Sequence, residues 1–231
     1  MIKAIVFDIG QTLVDYSAPL SWAELYGAAF AAVAEENGFA LSEEENAHIV
    51  KTLSKYNTWE NPRDEEVSSD IIFSEIIGGT RIPPRCLDKV KRSFFGFFSR
   101  GARVCPEAEE ALTALKKAGV PLGTLSDVPY GMDNEFIYAD MGPLFKLIDL
   151  PYTSNDTGFR KPDPAGLLLL AGKMGVPIEE LAFVGDEDKD MECARRAGAH
   201  AILIDRDGGE EDFGQELTIR DLKELPALLG L

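Results

Sequence analysis

The stretch Ala4-Ile5-Val6-Phe7-Asp8-Ile9-Gly10-Gln11-Thr12-Leu13 decides how this chain is read. Four consecutive apolar residues, Ala4 to Phe7, with Ile2 ahead of them, predict a strand buried on both faces, as in a parallel sheet covered by helices. Asp8 ends that run with a carboxylate. Ligands of open parallel sheets sit beyond the carboxyl ends of the strands, so Asp8 stands where chemistry is done. A lone Asp there also suits a helix cap or a turn. Its meaning therefore depends on how the other strands end.

On the far side of Leu13 the pattern turns helical and is read as helical until about Ala102. Pro19 suits a first helical turn; Trp22, Leu25, Tyr26, Ala29 and Val33 recur at helical spacing, and Gly38 suits a C-terminal cap. Ser42 and Glu45 have capping-box spacing ahead of Ile49, Leu53 and Tyr56. A third helix is expected over Ser69 to Ile77, ending at Gly78-Gly79. A fourth follows Pro83-Pro84 and carries Leu87, Val90, Phe94 and Phe98. Aromatic and aliphatic residues at this spacing read as the core of a helical bundle. Trp22, His48, Asn57, Trp59 and Arg63 of this stretch are read first as structural residues.

From Val104 onward helices alternate with short apolar strands. A helix from Pro106 precedes a strand over Val120 to Leu125 that ends at Ser126-Asp127, and a further strand is expected through Tyr152. Lys161 follows in Gly158-Phe159-Arg160-Lys161-Pro162-Asp163-Pro164, where Asp163 can cap the helix holding Leu167 to Leu170. Leu181 to Val184 is a strand ending in Gly185-Asp186-Glu187-Asp188-Lys189-Asp190. A helix to Ala197, a strand over Ala201 to Ile204 and an amphipathic tail from Asp221 to Leu229 complete the chain. Such alternation implies an α/β, doubly wound, Rossmann-like parallel sheet with right-handed crossovers. The expected partition is a core of residues 1–14 and 103–231 with a small all-helical cap domain at 15–102.

Composition limits the partners. With 45% hydrophobic and 27% charged residues in 231, the chain can bury a sizeable core. Lys and Arg number 23 against 40 Asp and Glu, a net charge of -17 that repels polyanions and argues against nucleic-acid or anionic-membrane binding. Cys86, Cys105 and Cys193 lack metal-ligand spacing and read as reduced thiols. A cytoplasmic location is the default expectation, since no stretch approaches the length that spans a bilayer. Nothing in the sequence speaks to oligomeric state.

Three strand ends thus carry Asp8, Ser126 and Asp186, and a loop supplies Lys161 before Pro162. In this order they resemble the motifs of the haloacid dehalogenase-like hydrolases, and the helical insertion resembles the cap of one branch of that superfamily. The resemblance implies that Asp8 is the nucleophile and Ser126, with Asp127, binds the phosphoryl group. It makes Lys161 the charge-neutralising lysine. Mg2+ is then held by Asp8, the Gly10 carbonyl and Asp186, with Asp190 behind them or acting through water. The implied activity is a magnesium-dependent phosphatase acting on a small phosphorylated metabolite through an aspartyl phosphate. Most phosphatases of the family carry a second Asp two residues after the nucleophile as general acid and base. Here that residue is Gly10, which implies a preference for good leaving groups. A metal-independent dehalogenase, whose halide needs no protonation, and a silent phosphate-binding relative are the alternatives.

Overall fold

The computed structural model describes residues 1–16, 22–209 and 211–230. Pro19 lies outside them. The main sheet has six parallel strands in the order β5-β4-β1-β6-β7-β8: β1 is Ala4–Phe7, β4 Leu122–Ser126, β5 Leu150–Thr153, β6 Leu181–Gly185, β7 His200–Ile204 and β8 Leu217–Ile219. β1, β4 and β6 are buried at every residue, as continuous apolar strands inside a covered sheet must be. β1 pairs with β4 on one side, Phe7 opposite Thr124, and with β6 on the other, Phe7 opposite Val184. The chain leaves β1 in both directions, so the topological switch falls at β1. The ends of β4, β1 and β6 therefore carry Ser126, Asp8 and Asp186 side by side.

The insertion matches the expected helices: α1 is Tyr26–Asn37, α2 Glu43–Tyr56, α3 Ser69–Gly78 and α4 Leu87–Ser99. Gly38 closes α1 in the left-handed region, and Ser42 with Glu45 forms both arms of a capping box at α2. One difference lies at the ends of this segment. Val14–Tyr16 (β2) and Ala102–Val104 (β3) pair as an antiparallel ribbon, so the stretch after Leu13 does not turn helical at once. Three-residue strands are too short to show an alternating pattern. A second difference is that α5, Ala108–Lys117, begins two residues after Pro106, whose turn closes through Ala108 N–H to the Cys105 carbonyl.

Behind the sheet ends, α6 is Asn134–Asp140, α7 Ser154–Thr157, α8 Ala165–Met174, α9 Asp188–Ala197 and α10 Glu224–Leu228. β8, with only Ile219 buried, gave no apolar run to read. Cys105 and Cys193 are buried, Cys86 is half-buried, and all three are free. Among the described residues no helix is long and apolar enough to cross a membrane.

Candidate active site

Asp8 sits one residue past β1, its N–H donating to the Val184 carbonyl at 2.8 Å. Immediately after it the chain turns: Leu13 and Val14 N–H both donate to Ile9 O, and Gln11 adopts φ 54°, a left-handed conformation that a residue with a Cβ holds only under constraint. Arg206 supplies that constraint. Its guanidinium donates to the carbonyls of Gln11 at 2.5 Å and Thr12 at 2.8 Å, and it pairs with Glu107. The turn leaves Thr12 wholly buried, with its hydroxyl donating to Asp186 Oδ1 at 2.9 Å. β1 and β6 are thus tied together at their chemical ends.

Lys161 Nζ lies 2.6 Å from both Asp8 Oδ1 and Asp190 Oδ1, with all three side chains buried. Burial alone would lower its pKa, but the carboxylates of Asp190, Asp8 and Asp127 outweigh that and hold it well above the ordinary lysine value. Asp190 Oδ2 accepts the N–H groups of Asp186 and Glu187 at 3.1 and 3.0 Å, which makes it the brace of the turn that starts α9. Asp127 accepts the Lys161 N–H at 3.0 Å. That carboxylate holds the lysine loop, so Asp127 has only its backbone N–H to offer a phosphate.

Burial pushes Asp8 up to about 6, with Lys161 pulling against it. Asp186 rises further, to about 8, through burial and then the charges of Asp8 and Asp190. Asp8, Asp186 and Asp190 bring ligand oxygens within 4.8 Å of one another. Partnered by one buried ammonium, this cluster is short of positive charge.

A cavity of about 560 Å³ opens over it, lined at its base by Asp8, Gly10, Ser126, Asp127, Lys161 and Asp186. Each of these residues singled out in the sequence is therefore at one site, and Asp190 stands directly behind. Of the insertion residues, Trp22, Asn57 and Trp59 line the same cavity. His48 instead meets the Glu75 carbonyl at 3.1 Å between α2 and α3, and Arg63 binds the Tyr56 carbonyl at 2.9 Å and Glu66 at 3.2 Å. Thr12 and Arg206 were not legible as site residues. Thr12 gave a weak signal, a small hydroxyl four residues after Asp8; Arg206 gave none, being 194 residues from the carbonyl it caps.

The sequence profile of the haloacid dehalogenase-like hydrolases matches residues 2–198. A phosphoglycolate phosphatase of Escherichia coli K12 is 27% identical over 254 aligned positions, covering 100% of this chain and 93% of its own. Among solved structures, a 2-haloacid dehalogenase from Pseudomonas syringae pv. Tomato superposes with a TM-score of 0.71 at 22% identity, covering 100% of this chain and 99% of its own. A HAD phosphatase from Thermococcus onnurineus gives 0.68 at 21% identity, with 99% and 98% covered. Sheet order, strand-end residues and sequence profile agree: this chain belongs to the haloacid dehalogenase-like hydrolases.

Proposed function

We propose that the protein is a magnesium-dependent phosphatase that hydrolyses a small phosphate ester through an aspartyl phosphate on Asp8. The observation that carries this is the charge imbalance: three carboxylates with oxygens within 4.8 Å, and one buried ammonium among them. Carboxylate oxygens are the donors Mg2+ favours, and Asp8, Asp186 and Asp190 bring three of them together at the end of the sheet. A metal-independent dehalogenase calls for no cation at that cluster, whereas a dianionic phosphate ester meeting an aspartate does. The relatives named as phosphoglycolate phosphatases support phosphoryl transfer.

In this reading residues 1–14 and 103–231 are the catalytic core, and 15–102 are the cap. Asp8, Asp186 and the Gly10 carbonyl would hold the cation, which supplies positive charge where two anions must meet. Asp190 has its oxygens committed to Lys161 and to two backbone N–H groups, so it reaches the cation only through water. The chain's own residues then act in two steps. An oxygen of Asp8 forms a bond to phosphorus as the ester oxygen departs with the electron pair of the broken bond. Water attacks the same phosphorus, freeing inorganic phosphate and restoring Asp8. Lys161, gripped by Asp8 and Asp190, offsets the phosphoryl charge, while the Ser126 hydroxyl and the Asp127 N–H hold its oxygens. Three free thiols, two of them buried, fit the reducing cytoplasm.

The raised Asp186 gives the metal a defined pH dependence. Its folded pKa of about 8 lies above the ordinary 3.8, so the stability this group lends the metal-free protein is complete below 3.8 and is lost as pH rises through about 8. Binding of a cation must displace the proton, so Mg2+ affinity should climb roughly tenfold per pH unit up to that point. Thermal-shift titrations should show greater stabilisation by Mg2+ at pH 8.5 than at pH 6.5, and none in Asp186→Ala. Equal stabilisation of the variant and the wild type would remove Asp186 from the site.

Gly10 constrains the leaving group. Without an acid here, an ester oxygen departs unprotonated, so rates should fall as leaving-group pKa rises. A Cβ built on Gly10 meets only Asp8 Oδ2, at 3.9 Å, so the position has room for the first carbon of a side chain beside the nucleophile. Gly10→Asp should raise kcat on alkyl phosphates by about tenfold or more, a part of the 10² to 10⁴ that a positioned acid supplies, and change aryl phosphates far less. A wild type equally fast on both ester classes at saturation would mean that another group donates the proton.

A further inference from the structure

The cavity above Asp8 is walled by rings: Trp22, Tyr56, Trp59, Phe98 and Tyr130, with Met132 and Ile137 between them. The wall is built stiffly. Trp22 stacks on Phe98 with centroids 3.7 Å apart and planes at 2°, and on Tyr130 at 5.7 Å and 24°. Tyr130 is held at φ 52°, its hydroxyl against that of Tyr26, while the next residue, Gly131, packs so closely on the Val67 carbonyl that a Cβ would reach within 2.1 Å of it. Tyr56 spends its hydroxyl on Glu75 at 2.7 Å and so offers the cavity its ring. Trp59 stands at the mouth, 78% exposed.

The charges of the cavity are spent. Its basic residues among the described ones are Arg160, Lys161 and Lys189. Arg160 is paired with Glu66, Lys161 with Asp8 and Asp190, and Lys189 with Glu187 at 2.6 Å. Acidic groups on the lining are Asp8, Asp127, Asp186 and Glu187. A substrate carrying a carboxylate beyond its phosphate would meet cations that are already paired and would face this negative field, whereas a flat apolar ring would meet a wall of aromatic and aliphatic side chains.

We propose that the organic part of the substrate is an apolar aromatic group, so that the site takes aryl phosphate monoesters and discriminates against carboxylated ones such as phosphoglycolate. The inference rests on the phosphatase reading above, and its test uses phosphonates, which bind but have no ester oxygen to lose. Leaving-group chemistry at Gly10 is thereby removed from the comparison. Benzylphosphonate, methylphosphonate and phosphonoacetate are titrated calorimetrically into the Mg2+-loaded enzyme. Benzylphosphonate should bind about tenfold or more tighter than methylphosphonate, and phosphonoacetate no tighter than methylphosphonate. Trp59→Ala, a change at an exposed position that the fold tolerates, should shrink the benzyl advantage. Phosphonoacetate binding tightest, or a benzyl group giving no advantage, would overturn the aromatic assignment while leaving the phosphatase standing. Failure of all three to bind, together with no hydrolysis of any phosphate ester in Mg2+, would overturn both.

Discussion

Asp8→Asn should lower turnover of phosphate esters by about 10⁴-fold or more, the scale on which loss of a covalent nucleophile cripples other hydrolases. The amide keeps the shape of the carboxylate but cannot attack phosphorus. Lys161 retains Asp190 at 2.6 Å, so the lysine is not left unpaired. The stability of the variant separates chemistry from misfolding. Asp8 has a folded pKa of about 6, above its ordinary 3.8, so its contribution to stability is present below 3.8 and lost as pH rises through about 6. Above that pH the desolvation of the ionised group is opposed by its attraction to Lys161, whose own pKa Asp8 helps to raise, so asparagine removes a cost and a gain together. A cooperative melt of the variant at pH 8 would show that the fold is intact. Acid-quenched wild type should carry a phosphoryl group on the Asp8 peptide and the variant none. Turnover within tenfold of wild type would take the nucleophile away from Asp8.

Three parts of the site were legible from the sequence for one reason: a polar residue interrupts an apolar run. Asp8 after Phe7, Ser126 after Leu125 and Asp186 after Gly185 stop strands, and strand order in the sheet then makes them neighbours. Lys161 was legible only through its place in the motif order, since a loop lysine has no pattern of its own. What stayed hidden depends on long-range pairing. Thr12 is joined to Asp186 across 174 positions and Arg206 to Thr12 across 194, and local spacing carries no trace of either bond. Asp190 was expected behind the metal ligands or acting through water, and what local spacing did not show is that it braces both Lys161 and the turn before α9. Trp22 and Phe98 have the spacing of bundle core residues and are packed as such, yet one edge of that core is also the wall of the cavity. Periodicity reports that a residue is buried and is silent on whether a ligand shares the burial.

Glu66→Ala should cost about 3 to 5 kcal/mol of stability, because it strands a buried guanidinium. Glu66 and Arg160 have side chains 3% and 5% exposed and form a close ion pair, and Arg160 also donates to the Val128 carbonyl at 2.8 Å. The Ser154 hydroxyl donates to the same Glu66 oxygen at 2.6 Å and accepts the Val128 N–H at 3.0 Å. The backbone repeats the connection: Glu66 N–H donates to Gly158 O at 2.9 Å and Arg160 N–H to Asp64 O at 2.7 Å, forming an isolated bridge between Glu65 and Phe159. Segment 64–66 of the insertion is thus stitched to segment 158–160, and the next residue is Lys161. With Glu66 gone, Arg160 keeps only the Val128 carbonyl and a carboxylate, Asp127, at 3.7 Å. For a chain of this size the loss corresponds to a fall in Tm of roughly 6 to 20 °C. Because the stitch ends on the lysine loop, kcat should fall in whatever fraction remains folded at low temperature. Glu66→Gln with Arg160→Met removes both charges at nearly constant volume and should recover much of the lost stability, since desolvation of the ions no longer has to be offset. A Glu66→Ala protein within about 1 kcal/mol of wild type would place this pair with surface ion pairs in energetic worth, and a double variant no more stable than Glu66→Ala would mean that the hydrogen bonds to Ser154 and Val128, rather than the charges, hold the two segments together.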